Sequence, residues 1–156
     1  MTRKLRRAFG HYATGVTVVT TTTAGGERAG ITVNSFSSLS LDPPLVLWSI
    51  ARTAATFASF REAGAFAVHV LHAGQAHLAR QFALRGGDRF AGVSCATGPS
   101  GAPLLDDFLA CFDCETYATH EGGDHLVIVG RVLESFERSG EPLLFYRGRF
   151  VERCRA

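Results

Sequence analysis

The sequence has no apolar run long enough to cross a bilayer: the longest, Leu45 to Ile50, falls far short of the about 20 residues a spanning helix needs. No apolar core follows the basic residues Arg3 to Arg7, which lead instead into Gly10, His11 and Tyr12, so no secretory leader is expected. A soluble, cytoplasmic protein with no membrane partner is the expectation. Charge of neither sign dominates, since 16 Lys and Arg against 14 Asp and Glu leave a net charge of +2, too small to imply a polyanionic partner. The basic cluster Arg3, Lys4, Arg6 and Arg7 reads as a solvated helix face, and no nucleic-acid partner is expected. No Gly-x-Gly-x-x-Gly links a strand pattern to a helix pattern, which excludes a Rossmann nucleotide unit. Internal repeats, low-complexity linkers, paired carboxylates and a Ser-His-Asp arrangement are also missing.

Cysteine is sparse, at Cys95, Cys111, Cys114 and Cys154. Cys111 and Cys114 form a Cys-x-x-Cys, but they fall in a strand-like segment where an offset of three sends them to opposite faces. No second Cys-x-x-Cys completes a zinc site, so all four are expected to be reduced thiols. His69, His72 and His77 lie close in sequence without a carboxylate at ligand spacing, and no metal site is expected.

What remains is an ordinary globular composition, 46% hydrophobic and 19% charged, with twelve Phe to fill a core. At 156 residues the chain reads as a single domain, 1–156. Leu5, Phe9, Tyr12 and Ala13 recur at helical spacing, which predicts a helix over Arg3 to Ala13. Val16 to Thr23 and Ala29 to Ser37 read as strands around Ala24-Gly25-Gly26-Glu27, and Leu45 to Ile50 as a strand buried on both sides. Thr53 to Ala63 reads as a helix with Thr53 as N-cap and Gly64 as its stop. Ala65 to Leu71 is a strand, Gln75 to Phe82 a helix, Leu84 to Ala91 a Gly- and Arg-rich loop, and Gly98 to Pro103 a turn. Long strands over Leu109 to His120 and His125 to Arg138 flank the turn Glu121-Gly122-Gly123-Asp124. A short pair, Leu143 to Tyr146 and Arg149 to Glu152, closes the chain around Arg147-Gly148. Strands dominate and helices are inserted between them, which predicts a mainly β barrel rather than a doubly wound sheet.

From Thr32 to Ser40, six short polar side chains crowd into nine residues. With the alternation of a strand, Thr32, Asn34, Ser38 and Ser40 share a face around Phe36. Two readings stand: a half-exposed strand running into a turn, or a wall for a flat ligand rich in hydrogen-bond acceptors. Arg52-Thr53-Ala54-Ala55-Thr56 likewise reads as a plain helix start or as an anion site.

Phe9-Gly10-His11-Tyr12-Ala13-Thr14-Gly15-Val16-Thr17-Val18-Val19-Thr20 is followed in order by the segments Gly30 to Pro44, Gly64 to Leu71, Gln81-Phe82-Ala83, Asp88 to Val93, Gly123-Asp124-His125 and Pro142 to Gly148. This ordered set resembles the flavin reductase family, the FMN-binding split-barrel proteins that supply reduced flavin to two-component monooxygenases. The resemblance implies a split β-barrel, a homodimer, and an NAD(P)H:flavin oxidoreductase that uses NADH or NADPH to reduce FMN or FAD for a partner monooxygenase. It implies flavin contacts from Thr32, Val33, Asn34, Ser35 and Ser38, a phosphate site at Arg52, Thr53 and Thr56, and further contacts from Phe82 and Arg89. His125 and Tyr146 would orient the nicotinamide donor, and His125 is the residue expected to matter most for catalysis. The family is richer in serine where Ala54 and Ala55 stand, and usually has Asn at the position of His69. A flavoprotein that keeps its FMN and reduces another substrate, and a non-catalytic flavin carrier, are the alternatives.

Overall fold

The computed structural model describes residues 2–151. The basic N-terminal run forms α1 (Thr2–Phe9), followed by β1 (Thr14–Gly15), β2 (Thr17–Thr22), β3 (Arg28–Val33), β4 (Ser37–Leu41) and β5 (Pro44–Ala51). A single-turn α2 (Phe57–Arg61) leads to β6 (Ala65–Val70), and a 3-10 turn at Ala73–Gln75 opens α3 (Ala76–Phe82). The remainder is strand: β7 (Cys95–Thr97), β8 (Pro103–Leu105), β9 (Ala110–Gly122), β10 (His125–Glu137), β11 (Leu144–Tyr146) and β12 (Arg149–Val151).

Seven strands form one sheet in the order β3-β2-β6-β9-β10-β5-β4. The pairs within it are antiparallel. β3 and β4 are consecutive in the chain yet occupy opposite ends of that sheet, so Asn34, Ser35 and Phe36 must carry the chain from one edge to the other. That crossing draws the sheet into a barrel. Ser35 pins it: its hydroxyl donates to the Ser49 carbonyl at 3.0 Å and accepts the Ser49 N–H at 3.0 Å. Each such bond contributes about 1 kcal/mol net.

The barrel interior holds Val19, Val46, Trp48, Ile50, Phe60, Phe66, Leu126 and Ile128. Trp48 meets Phe60 edge-on at 5.0 Å, and Phe36 of the crossing stacks on Phe112 at 5.5 Å. A second core lies outside the barrel, where Val16, Val18, Leu71, Leu78, Phe82, Phe90, Leu105 and Leu143 pack together. β2 is therefore covered on both sides, with Val19 inward and Val18 outward. Its buried threonines are paid for by hydrogen bonds: Thr17 donates to the Val33 carbonyl, Thr20 to that of Pro103 and Thr21 to that of Ala65.

His69 in β6 is fully buried. Its Nδ1 lies 3.1 Å from the Val18 carbonyl, and its Nε2 accepts the Leu105 N–H at 3.1 Å. These two partners require the neutral ring with the proton on Nδ1. Burial pushes its pKa down to about 4, although the bond to Val18 opposes the shift. The imidazole thus ties β2 to β8 across β6.

Several sequence expectations need correction. The strand expected over Ala29 to Ser37 is broken at Asn34, and the break changes its phase. Ile31, Val33 and Phe36 face the barrel core, whereas Thr32 faces α3, so the face expected to carry Thr32, Asn34, Ser38 and Ser40 around Phe36 does not exist. The N-terminal helix ends at Phe9, not Ala13. The helix expected over Thr53 to Ala63 is only Phe57–Arg61; Thr56, not Thr53, stands at its N-cap, without a side-chain capping bond. β5 is buried on one side only, with Val46, Trp48 and Ile50 inward and Leu45, Leu47 and Ser49 half-exposed.

The long β9–β10 hairpin and the β11–β12 hairpin form where expected, and Cys111 and Cys114 fall in different clusters on opposite faces of β9. Cys154 and Glu152 lie outside the described residues.

Candidate active site

A groove of about 320 Å³ opens between β3, the α2 region and the loop before β7. Arg28, Gly30, Thr56, Ser59, Arg85 and Arg89 contribute to its lining. Arg89 is held in place by its Nη1, which donates to the Gly30 carbonyl at 2.6 Å, and partial burial lowers its pKa. Gly30 permits a close approach here, because a Cβ at this position would lie 2.5 Å from the Phe82 ring. Phe82 itself is fully buried beneath the strand and meets Phe90 edge-on at 5.0 Å. The ring thus supports β3 from below.

Thr56 carries the most telling atom of the groove. Its Oγ1 is buried and has no hydrogen-bond partner. A buried hydroxyl left unpaired costs about 1–3 kcal/mol, and three guanidinium groups, of Arg28, Arg85 and Arg89, line the same groove against the two carboxylates of Glu27 and Asp88, a net positive lining. An anionic, acceptor-rich group such as a phosphate satisfies both conditions. The donor set therefore fits the phosphate end of a flavin nucleotide.

The other expected residues divide into those free to bind and those already engaged. Asn34 and Ser38 are exposed, and their side chains make no hydrogen bond among the described residues. Thr32 donates to the Ala79 carbonyl at 2.7 Å, and the Ser35 hydroxyl is committed to Ser49. Val33 packs against the barrel core. These three position the polar ribbon through backbone and packing, and their side chains are not free donors. Arg52 does not line the Thr56 groove. It pairs with Glu121, donates from Nε to the Gly123 carbonyl at 3.3 Å and stands over the Phe57 ring. Thr53 is exposed on the preceding turn.

The β9–β10 turn is thereby fixed against the end of β5. The Arg52 N–H donates to the Asp124 carbonyl at 2.9 Å, and His125 stands opposite Ala51 in register. His125 is half-exposed, with Nδ1 2.7 Å from Asp124 Oδ1. That bond is the main reason the Asp124 carboxyl lies below the usual carboxylate range; the charge of Arg6 on α1 adds to it. Tyr146 is exposed at the end of β11. Among the described residues no group of three His, Cys, Asp or Glu side chains is placed to hold a metal ion. Arg28, Arg85 and Ser59 were not singled out from the sequence. Only the Gly- and Arg-rich loop composition pointed toward Arg85.

Residues 9–152 match the family model described as a flavin reductase like domain. The chain belongs to this family. It is 47% identical over 148 residues to the FMN reductase (NADH) SmoA of Agrobacterium fabrum, covering 95% of this chain and 84% of that protein. It is 41% identical over 150 residues to the reductase subunit HsaB of a flavin-dependent monooxygenase from Rhodococcus jostii, covering 96% and 76%. The NADH:FAD oxidoreductase SgcE6 of Streptomyces globisporus superposes with a TM-score of 0.91 at 40% identity, covering 99% of this chain and 89% of that one. Some relatives are longer: the chain spans 44% of a probable flavin reductase of Rhizobium meliloti and 48% of the reductase component of a trigonelline monooxygenase from Acinetobacter baylyi. The solved flavin reductases confirm the split-barrel class expected from the sequence.

Proposed function

We propose that this protein is an NAD(P)H:flavin oxidoreductase that reduces FMN or FAD and releases the reduced flavin to a partner monooxygenase. The observation that carries this reading is the Thr56 groove beside β3, where an unpaired buried hydroxyl stands in a lining of three arginines against two carboxylates, a net positive setting suited to an anionic ligand. Relatives that bear the names of NADH-dependent FMN and FAD reductases support it.

When bound, the flavin ring supplies an acceptor for hydride from the nicotinamide. The protein's part is to hold two flat rings together and exclude water, which needs alignment more than an acid or a base. Asn34 and Ser38 offer polar side chains to the acceptor-rich rim, and Arg89, Arg85 and Thr56 bind the phosphate end. His125, steadied by Asp124, and Tyr146 orient the donor. Neither is assigned a proton transfer.

A homodimer completes the assembly. No residue of α1 is buried in the single chain, and Leu5, Phe9 and Tyr12 on or just beyond it are exposed, as are Leu39, Tyr117 and Leu133 elsewhere. Sedimentation should give twice the chain mass. No helix among the described residues is long and apolar enough to cross a membrane, in keeping with a cytoplasmic site of action.

The purified protein mixed with NADH and excess free FMN, then FAD, should oxidise NADH through many turnovers. No turnover with any flavin, NADPH also being tried, refutes the proposal. His125→Ala should slow NADH oxidation while sparing flavin affinity. An unchanged rate would favour a carrier, and turnover of another substrate without added flavin would favour a flavoprotein that keeps its FMN.

A further inference from the structure

We infer that Gln81, in the last turn of α3, is a positioning residue for the Thr56 groove: its side-chain amide docks the turn that carries Arg89 and so aims that guanidinium at the flavin phosphate. This inference rests on the reading of the groove given above. Gln81 is half-buried and stands behind the groove rather than in its lining. Its Nε2 nevertheless donates to the carbonyls of both Arg89 and Ala91, at 2.9 Å each. One amide thus grips the backbone on both sides of Phe90. At the other end of the side chain, Arg89 Nη1 donates to the Gly30 carbonyl, so Arg89 is held at its backbone by α3 and at its tip by β3.

The segment that Gln81 holds is a unit of its own. The Ala91 N–H donates to the Asp88 carbonyl at 3.2 Å, and Asp88 Oδ1 accepts the Phe90 N–H at 2.9 Å, which closes Asp88 to Ala91 into a tight turn. Glycines in the left-handed region bracket it, Gly87 with φ of 80° and Gly92 with φ of 69°. Glycine constrains the backbone least, so a turn set between two of them takes its orientation from what it is docked on. Phe90 supplies the apolar attachment, edge-on to Phe82 at 5.0 Å and beneath the Arg28 guanidinium. Apolar packing is non-directional, whereas hydrogen bonds weaken steeply off their axis. The two Gln81 bonds therefore set the angle at which the turn presents Arg89.

The helix that carries Gln81 is itself fixed to β3, where Thr32 donates to the Ala79 carbonyl and Phe82 lies against Gly30. β3, α3, the turn and the Arg89 side chain thus form a circuit that returns to Gly30, and Gln81 is its polar link between helix and turn. A guanidinium has five N–H donors, and Gly30 engages one of those on Arg89, which leaves others for phosphate oxygens. Holding them in place beforehand lowers the cost of ordering them when the anion binds. Loss of the Gln81 amide leaves the arginine in the groove without its aim, and the loss falls on the phosphate end of the ligand.

The test compares FMN with riboflavin, which lacks the phosphate, in fluorescence titrations and in steady-state turnover with NADH. The variants are Gln81→Met, which keeps the length of the side chain and removes its donor, and Gln81→Asn, which keeps the amide but withdraws it by one methylene. In each, the ratio of FMN affinity to riboflavin affinity should fall roughly tenfold, and the loss in turnover should appear in KM for FMN rather than in kcat. Arg89→Met should lower the same ratio, and adding Gln81→Met to it should lower it little further, because the amide acts through the arginine. Ratios that stay at wild-type values in both Gln81 variants overturn the inference. Equal losses for the two flavins also overturn it, since they report a general loosening of the fold, and so do losses that add in full in the double variant. The wild type separates this idea from the one beneath it. If it binds FMN no more tightly than riboflavin, the phosphate reading of the groove itself fails, whereas a wild-type preference for FMN that survives in the variants removes only Gln81.

Discussion

Acidification should reveal His69 as a pH-dependent cross-link of the outer core. The ring is fully buried and its two nitrogens serve Val18 and Leu105, so the fold binds it neutral, with a pKa of about 4 against 6.5 for the free side chain. Below pH 6.5 the unfolded chain takes up a proton that the folded chain refuses. Stability from this residue is therefore fully present above pH 6.5 and is lost as pH falls toward 4. At 1.36 kcal/mol per pH unit, that interval corresponds to about 3 kcal/mol, and complete burial leaves little solvent screening to reduce it. Urea unfolding followed by the fluorescence of Trp48, the one tryptophan and itself buried, measures it between pH 7.5 and 4.5. His69→Asn is the informative variant, because the shorter amide cannot reach both partners. At pH 7.5 it should cost about 1–3 kcal/mol for a buried group left unpaired. Below pH 5 the gap should close or reverse, since the variant has no imidazole to charge. Other titrating groups are common to both proteins and cancel in the difference. A constant gap between pH 7.5 and 4.5 would refute the reasoning.

Thr56→Val should leave folding intact or slightly stabilised, because the lost hydroxyl has no partner in the protein, and should weaken flavin binding about five- to tenfold in fluorescence titrations. Wild-type flavin affinity in this variant would detach Thr56 from the phosphate site. Gly30→Ala places a methyl against the Phe82 ring and should cost about 1–3 kcal/mol in urea melts. Adding Phe82→Leu should recover part of that loss, and an additive second loss would show that the ring does not support β3.

Elements governed by local chemistry were legible in the sequence. Gly123-Asp124 and Arg147-Gly148 announce tight hairpins, and the offset of Cys111 from Cys114 fixes their opposite faces whatever the tertiary setting. The polar ribbon was legible as a feature but not as a geometry. Alternation carries no sign of a corner when polar residues continue through it, so the change of phase at Asn34 to Phe36 was hidden. Hydroxyl partners are equally tertiary: nothing in Thr32 or Ser35 foretells Ala79, 47 residues on, or Ser49, 14 residues on. The helix expected from Thr53 shrank because Arg52 is drawn to Glu121 and the β9–β10 turn, keeping the chain in turn conformation until Thr56. The groove itself joins β3, the α2 region and a distant loop, a meeting that no linear spacing encodes.

Reduced flavin meets dissolved oxygen readily, so a protein that releases it works beside peroxide. Peroxide attacks thiolates, not thiols. Burial first, and the charge of Asp113 second, push Cys111 and Cys114 up to about 12, so at neutral pH almost none of either sulfur is in the vulnerable form. The strand at the centre of the barrel wall is thus chemically quiet toward the by-product of the proposed reaction.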